Sequence, residues 1–132
     1  MATVTAAITL TSTDLLSNAL SFSVSSSITA THSTGLARAP ITSVAKGTGS
    51  GQVTLYTADD YAATAYVYIK NTDTISTDYV YVYADTSSDD PVLLKLSGGE
   101  WAFLPTNADA TLKAYAATSG TVVEWMVVGT DQ

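Results

Sequence analysis

The stretch TDYVYVYADTSSDD (77–90) decides the fold class. Tyr79, Tyr81 and Tyr83 fall at every second position, with Val80, Val82 and Ala84 in the places between. Side chains alternate faces along a strand with period two, whereas a helix would scatter both sets around its axis. The segment therefore predicts an extended strand with small aliphatics on one side and rings on the other. The aliphatic row suits a core. Tyrosine combines an apolar body with a polar tip and suits a boundary that is dry at one end and wet at the other. The rings are thus assigned outward, as a surface for touching something.

Other runs of the same kind lie on both sides of this one. They cover 3–12, 18–30, 37–46, 52–57, 64–71, 91–97, 100–105, 110–117 and 121–129, separated by Gly, Asp, Asn, Pro and Ser. Strand-like runs at roughly ten-residue intervals mark a sandwich or barrel. The prediction is an all-β, antiparallel β-sandwich, jelly-roll-like, of about 8–10 strands. Residues 1–15 are read as an N-terminal arm or first strand, and 16–132 as a single sandwich domain. Tyr66 and Tyr68 repeat the alternation in TAYVYIKN (64–71). If that strand pairs with 78–85, Tyr66, Tyr68, Tyr79, Tyr81 and Tyr83 share one sheet face, available to another subunit or to a sugar.

Three further patterns carry expectations. Leu20, Phe22 and Val24 alternate with Ser21, Ser23 and Ser25, which predicts an apolar side turned inward and a wet serine side. SGG (97–99) and TSG (118–120) supply glycines that tolerate positive φ, and each is expected to close an antiparallel hairpin. In TVVEWMVVGTDQ (121–132) both faces are largely apolar, so this strand is central or has one side covered by a neighbouring protomer.

Composition removes several function classes. The chain has 132 residues, enough for one cored domain, and no cysteine, which excludes disulfides and thiolate chemistry. Five Lys plus Arg stand against twelve Asp plus Glu, for a formal net charge of −7, so nucleic acid is not an expected partner. No apolar run approaches the ~20 residues of a membrane helix, and MATVTAAITLTSTD (1–14) lacks a basic leader region. Neither a membrane span nor a Sec signal is expected. Gly47, Gly49 and Gly51 in KGTGSGQ (46–52) read as a flexible loop, since neither P-loop lysine spacing nor a helix pattern follows.

Nothing names a reaction. His32 is the sole histidine, and with so many serines and aspartates a possible Ser-His-Asp set is uninformative. It reads as a loop or surface residue, and without cysteine a zinc site would need several converging carboxylates. Asp59-Asp60 and Asp89-Asp90 raise the question of Ca²⁺, with DTSSDDP (85–91) as a ligand loop, but EF-hand spacing is absent. The competing reading is a turn whose Asp side chains accept backbone N–H bonds. Glu100 and Glu124 are the only glutamates, which leaves a glycosidase pair without a matching cleft. The chain is read as a non-enzyme without a cofactor.

The units YVYIKN (66–71), KLSGGEWAFLP (95–105) and LKAYAATSGTVVEW (112–125) resemble small virion structural proteins of tailed bacteriophages, particularly cyanobacterial and marine phages. The resemblance runs from about residue 52 to the end and rests on fold-defining strands and turns. It implies a β-sandwich or jelly-roll module that decorates a capsid, or belongs to a tail or fibre. Such a module would act as a homotrimer or higher homo-oligomer against a partner such as the major capsid protein, in a virion assembled in the host cytoplasm. It carries no catalytic or ligand residues onto this chain. A tail-fibre or appendage module binding host-surface glycans is the alternative.

Overall fold

The computed structural model describes all residues except 15, 16, 48, 49 and 88. Eleven strands form among the described residues: β1 (Ala2–Ser12), β2 (Leu20–Ala30), β3 (His32–Ser33), β4 (Ala37–Ile41), β5 (Val53–Tyr56), β6 (Tyr61–Asn71), β7 (Val80–Ala84), β8 (Val92–Leu96), β9 (Trp101–Asn107), β10 (Leu112–Ala116) and β11 (Thr121–Asp131). Every run marked in the sequence contains one. All pairings are antiparallel. One sheet has the order β5-β10-β7-β8; the other has β3-β11-β6-β9, with β4 also pairing β11. Their inner faces meet through Val53, Leu55, Val80, Val82, Leu112 and Ala114 on one side and Ile41, Val67, Ile69, Val123 and Val127 on the other. The chain is an antiparallel β-sandwich.

The two tyrosine strands do not pair. β6 belongs to one sheet and β7 to the other, so the shared five-ring face does not form. Each strand turns its aliphatic row into the same core, and the tyrosines therefore point out on opposite sides of the sandwich. The expected hairpins at SGG and TSG are corrected for a related reason. Gly99 and Gly120 do take positive φ, 84° and 96°. However, 97–100 carries the chain from β8 in one sheet to β9 in the other, and 117–120 carries it from β10 to β11 across the same gap. Positive φ reverses the chain without dictating which sheet receives it. Among the described residues from β4 onward, β7–β8 is the one hairpin within a single sheet.

β11 is central, as its two apolar faces predicted. It lies between β6 on one side and β4 and β3, placed end to end, on the other. Val123 and Val127 enter the core, while Val128 on the opposite face is covered by the chain's own N-terminal hairpin, where Ile28 and Ala30 are buried. β1 and β2 form that hairpin, a separate two-stranded ribbon paired from Ala2↔Ala30 to Ser12↔Leu20. The boundary placed at residues 15 and 16, between β1 and β2, lies outside the described residues. The inward orientation expected for Leu20, Phe22 and Val24 is also corrected. Phe22 and Val24 are 49% and 51% exposed, because no second sheet lies over this part of the ribbon. The serine side is wet, as expected.

Where the chain leaves β6 for β7, one buried amide ties four segments together. Asn71 is fully buried, and its Nδ2 donates to the carbonyls of Asp78 at 2.6 Å and Leu96 at 3.1 Å. Its Oδ1 accepts from Asp73 N–H at 3.1 Å, its N–H donates to Glu100 O, and its carbonyl accepts from Gly99 N–H. Gly98 makes that junction possible, since a Cβ there would lie 2.4 Å from the Ile75 carbonyl oxygen. Asn71→Ala leaves two carbonyls without their donor, and buried unsatisfied groups cost about 1–3 kcal/mol each. A loss of about 3 kcal/mol is expected, read as a lower urea midpoint at unchanged m-value. A loss below about 1 kcal/mol would show that the junction is held by other means.

Candidate contact surfaces

The outer face of the β5-β10-β7-β8 sheet carries a continuous row of rings. Tyr115 on β10 sits directly across from Tyr81 on β7. Their rings stack at 4.9 Å with an interplanar angle of 17°. Tyr79 extends the row from Tyr81 at 6.2 Å, and Tyr83 meets Tyr115 edge-on at 5.9 Å. Lys95 on β8 places its Nζ 3.7 Å from the Tyr79 ring centroid, a cation–π contact at one end of the row. Burial pushes the Tyr115 hydroxyl above its ordinary pKa, with the neighbouring Tyr81 and Tyr83 adding to the effect.

Tyr83 closes the other end and is not a free ring. It is fully buried beneath the loop that joins β4 to β5. Its hydroxyl donates to Gln52 Oε1 at 2.7 Å and accepts from Gly47 N–H at 3.3 Å, while Lys46 lies 5.6 Å from the ring centroid. Lys46, Gly47 and Gln52 of the glycine-rich segment therefore cover a tyrosine; Thr48 and Gly49 lie outside the described residues. Gly51, at φ 102°, anchors the segment by accepting from Thr42 and Ser43 N–H. Of the five tyrosines predicted as contact residues, Tyr79 and Tyr81 lie together here as half-buried rings, and Tyr83 is removed from contact. Tyr115 was not among them. Its signal was present in ATLKAYAA (110–117), where Lys113 and Tyr115 alternate with Leu112, Ala114 and Ala116.

Tyr66 and Tyr68 occupy the opposite outer face. Tyr66 stacks with Phe103 of β9 at 6.4 Å and 15°. Tyr68 donates to Glu124 Oε1 at 3.1 Å, and Glu124 Oε2 accepts from Arg38 Nε at 2.8 Å. The Arg38 guanidinium holds the Glu124 carboxyl below its ordinary range. Burial, followed by the hydrogen bond and charge of Glu124, raises the Tyr68 hydroxyl. The β1–β2 ribbon arches over this face and leaves an apolar cleft of about 380 Å³. Val4, Ala6, Ile8 and Val24 line its ribbon wall, and Tyr68, Trp101, Phe103 and Met126 line the wall formed by the sheet.

The remaining polar residues take structural parts. His32 is exposed in β3 and meets Tyr61 edge-on at 5.1 Å. Tyr61 is buried against the core, and burial followed by the Asp60 charge pushes its hydroxyl up to about 12. Among the described residues no three His, Asp or Glu side chains gather as a cation site, and no helix is long and apolar enough to cross a membrane. In the 85–91 loop, whose Ser88 lies outside the described residues, Asp90 acts as the turn's acceptor. It takes bonds from Thr86 and Ser87, including Ser87 N–H at 2.6 Å and Thr86 Oγ1 at 2.8 Å. Compared with models of known protein families and with characterised proteins, the chain matches none.

Those bonds, the Ser87 N–H first, lower the Asp90 carboxyl to about 2. A carboxyl depressed in the folded state stabilises it fully above the unfolded pKa of about 3.9, and the contribution is lost as pH falls through the folded value. Asp90→Asn should therefore narrow the drop in unfolding midpoint between about pH 4 and pH 2 relative to the parent chain. Identical acid profiles for the two proteins would show that the loop does not couple to unfolding.

Proposed function

We propose that this chain is a non-enzymatic structural protein of a bacteriophage particle, acting as a capsid decoration protein through contacts with its own copies and with the shell. The observation that carries the reading is the strand order. β4 to β11 divide between the orders β4-β11-β6-β9 and β5-β10-β7-β8, which we read as two interlocked Greek keys, a jelly roll. That architecture recurs in viral capsid and lectin domains. Fold alone does not assign function. The reading gains support from the aromatic side chains that occupy both outer faces, Tyr79, Tyr81 and Tyr115 on one and Tyr66 and Phe103 on the other.

In this role the flat faces are the working parts. Half-buried tyrosines offer large contact area with few rotamers to freeze, and many weak contacts of one repeated subunit reinforce one another on a shell. The partner of the assembly is then the major capsid protein, and the state a homotrimer or higher. The chain should be recovered by quantitative mass spectrometry in density-purified particles at a fixed ratio to the shell protein. Recovery only from the soluble fraction of the lysate overturns the reading.

One observation favours the glycan-binding alternative. The Tyr79–Tyr81–Tyr115 row, with Lys95 against it, is an aromatic platform with a cation at its edge. On that reading Tyr81→Ala and Tyr115→Ala each lower binding on a glycan array by about tenfold, the range of a lost aromatic contact. An array on which the parent chain retains no glycan excludes it.

A further inference from the structure

The β1–β2 ribbon is two-faced. Its register brings Ala2, Val4, Ala6, Ile8 and Leu10 together with Ala30, Ile28, Val24, Phe22 and Leu20 on one side, and the threonines and most of the serines on the other. The base of the apolar side lies on the sandwich, where Ile28 and Ala30 are buried. The middle forms the ribbon wall of the cleft. Toward the Ser12–Leu20 end the same side is uncovered, with Leu10 53% and Phe22 49% exposed, and on the sheet wall Trp101 is 54% exposed. An isolated two-stranded hairpin is marginal in water, and contiguous exposed apolar surface marks an interaction site.

We propose that the uncovered end of this ribbon docks on a second copy of the chain, seating Leu10 and Phe22 against Trp101 and Phe103 in the cleft of the neighbour. The proposal deepens the structural-protein reading by naming the first partner as another copy. Two observations select that partner. First, within one chain the adjoining residues of the same ribbon side, Val4, Ala6, Ile8 and Val24, already line the cleft opposite Trp101 and Phe103. A tip from a second copy extends that apolar ribbon-on-sheet arrangement with the same kinds of side chain. Second, charge permits it. Of the twelve acidic residues only Asp14 lies in residues 1–30, and none of the five Lys and Arg does. Chains of net charge −7 repel one another broadly, yet the ribbon brings almost no charge to the contact.

The geometry is heterologous, with a tip on one copy and a cleft on the next. Such contacts close into rings when the rotation allows and otherwise propagate. No third component is needed, since each copy offers one tip and one cleft.

The absence of cysteine permits a direct test with the full-length chain. A tagged Phe22→Cys chain and an untagged Trp101→Cys chain are mixed and mildly oxidised, and the parent chain is followed by light scattering over a concentration series. The expected products are mixed Phe22–Trp101 disulfides in excess of either self-link, with a parent mass that rises with concentration. Phe22→Ser should weaken this association by at least about tenfold while leaving the thermal unfolding of the dilute monomer unchanged. A parent chain that stays monomeric throughout, or cross-links formed only between Phe22 positions, overturns the proposal. Cross-linking of Phe22→Cys in the free protein is read independently of particle composition. Failed docking with the chain still present in purified particles overturns only the docking; mixed disulfides without particle recovery overturn only the virion reading.

Discussion

Asn71 holds the point on which the two-sheet arrangement depends. β6 and β7 have nearly the same sequence logic, Tyr alternating with Val or Ile, and would satisfy each other as hairpin partners in one sheet. What separates them is the crossing at 72–79, and its ends are fixed by an amide that donates to both Asp78 and Leu96. Only a side chain with donors and an acceptor in one plane can serve these three backbone groups at once. Because the crossing is held, both aliphatic rows enter one core, and the tyrosines are distributed to two surfaces of different character. One surface is an open aromatic row, and the other is roofed by a ribbon.

The charges follow the same division. Ten of the twelve acidic residues sit in turns and crossings, and only Glu124 and Asp131 lie in strands. On the flat faces the charges are largely paired or spread over rings: Glu124 with Arg38, Lys113 with Asp85, Lys95 over Tyr79. Like-charge repulsion between copies is thus concentrated at the rims of the sandwich, while its faces present little field. Such a molecule resists nonspecific clumping and still permits face contacts, a separation of solubility from association that net charge alone would not reveal.

Strand positions were legible in the sequence because the period-two pattern is local. Each marked run became a strand, and the aliphatic rows of β6 and β7 face the core as assigned. Which strands pair was not legible. Pairing is set by where a crossing is pinned, and a buried asparagine in IKNTDT (69–74) looks like any turn residue until its three partners are known. The same limit explains SGG and TSG, whose glycines adopt the expected backbone while leading to the opposite sheet. Tyr83 was misplaced because its neighbours in sequence are outward rings, whereas its cover comes from residues 46–52, far away in the chain.

The ribbon shows a second limit of periodic patterns. Alternation states which residues share a face, but not whether anything covers that face. LSFSVSSS (20–27) carries the pattern of a strand with a buried side, and in the folded chain its apolar side is half open to water. Eleven register pairs give the ribbon its length, and its β-branched threonines stiffen it, but two strands alone contribute too little burial to hold it against the entropy of the open chain. Its order must therefore depend on whatever lies against its apolar side. The base has the sandwich for that purpose; the tip has only what arrives from outside. Any group that fills the cleft binds the ordered ribbon in preference to the open one, so ordering of the arm and association are linked equilibria, each drawn forward by the other.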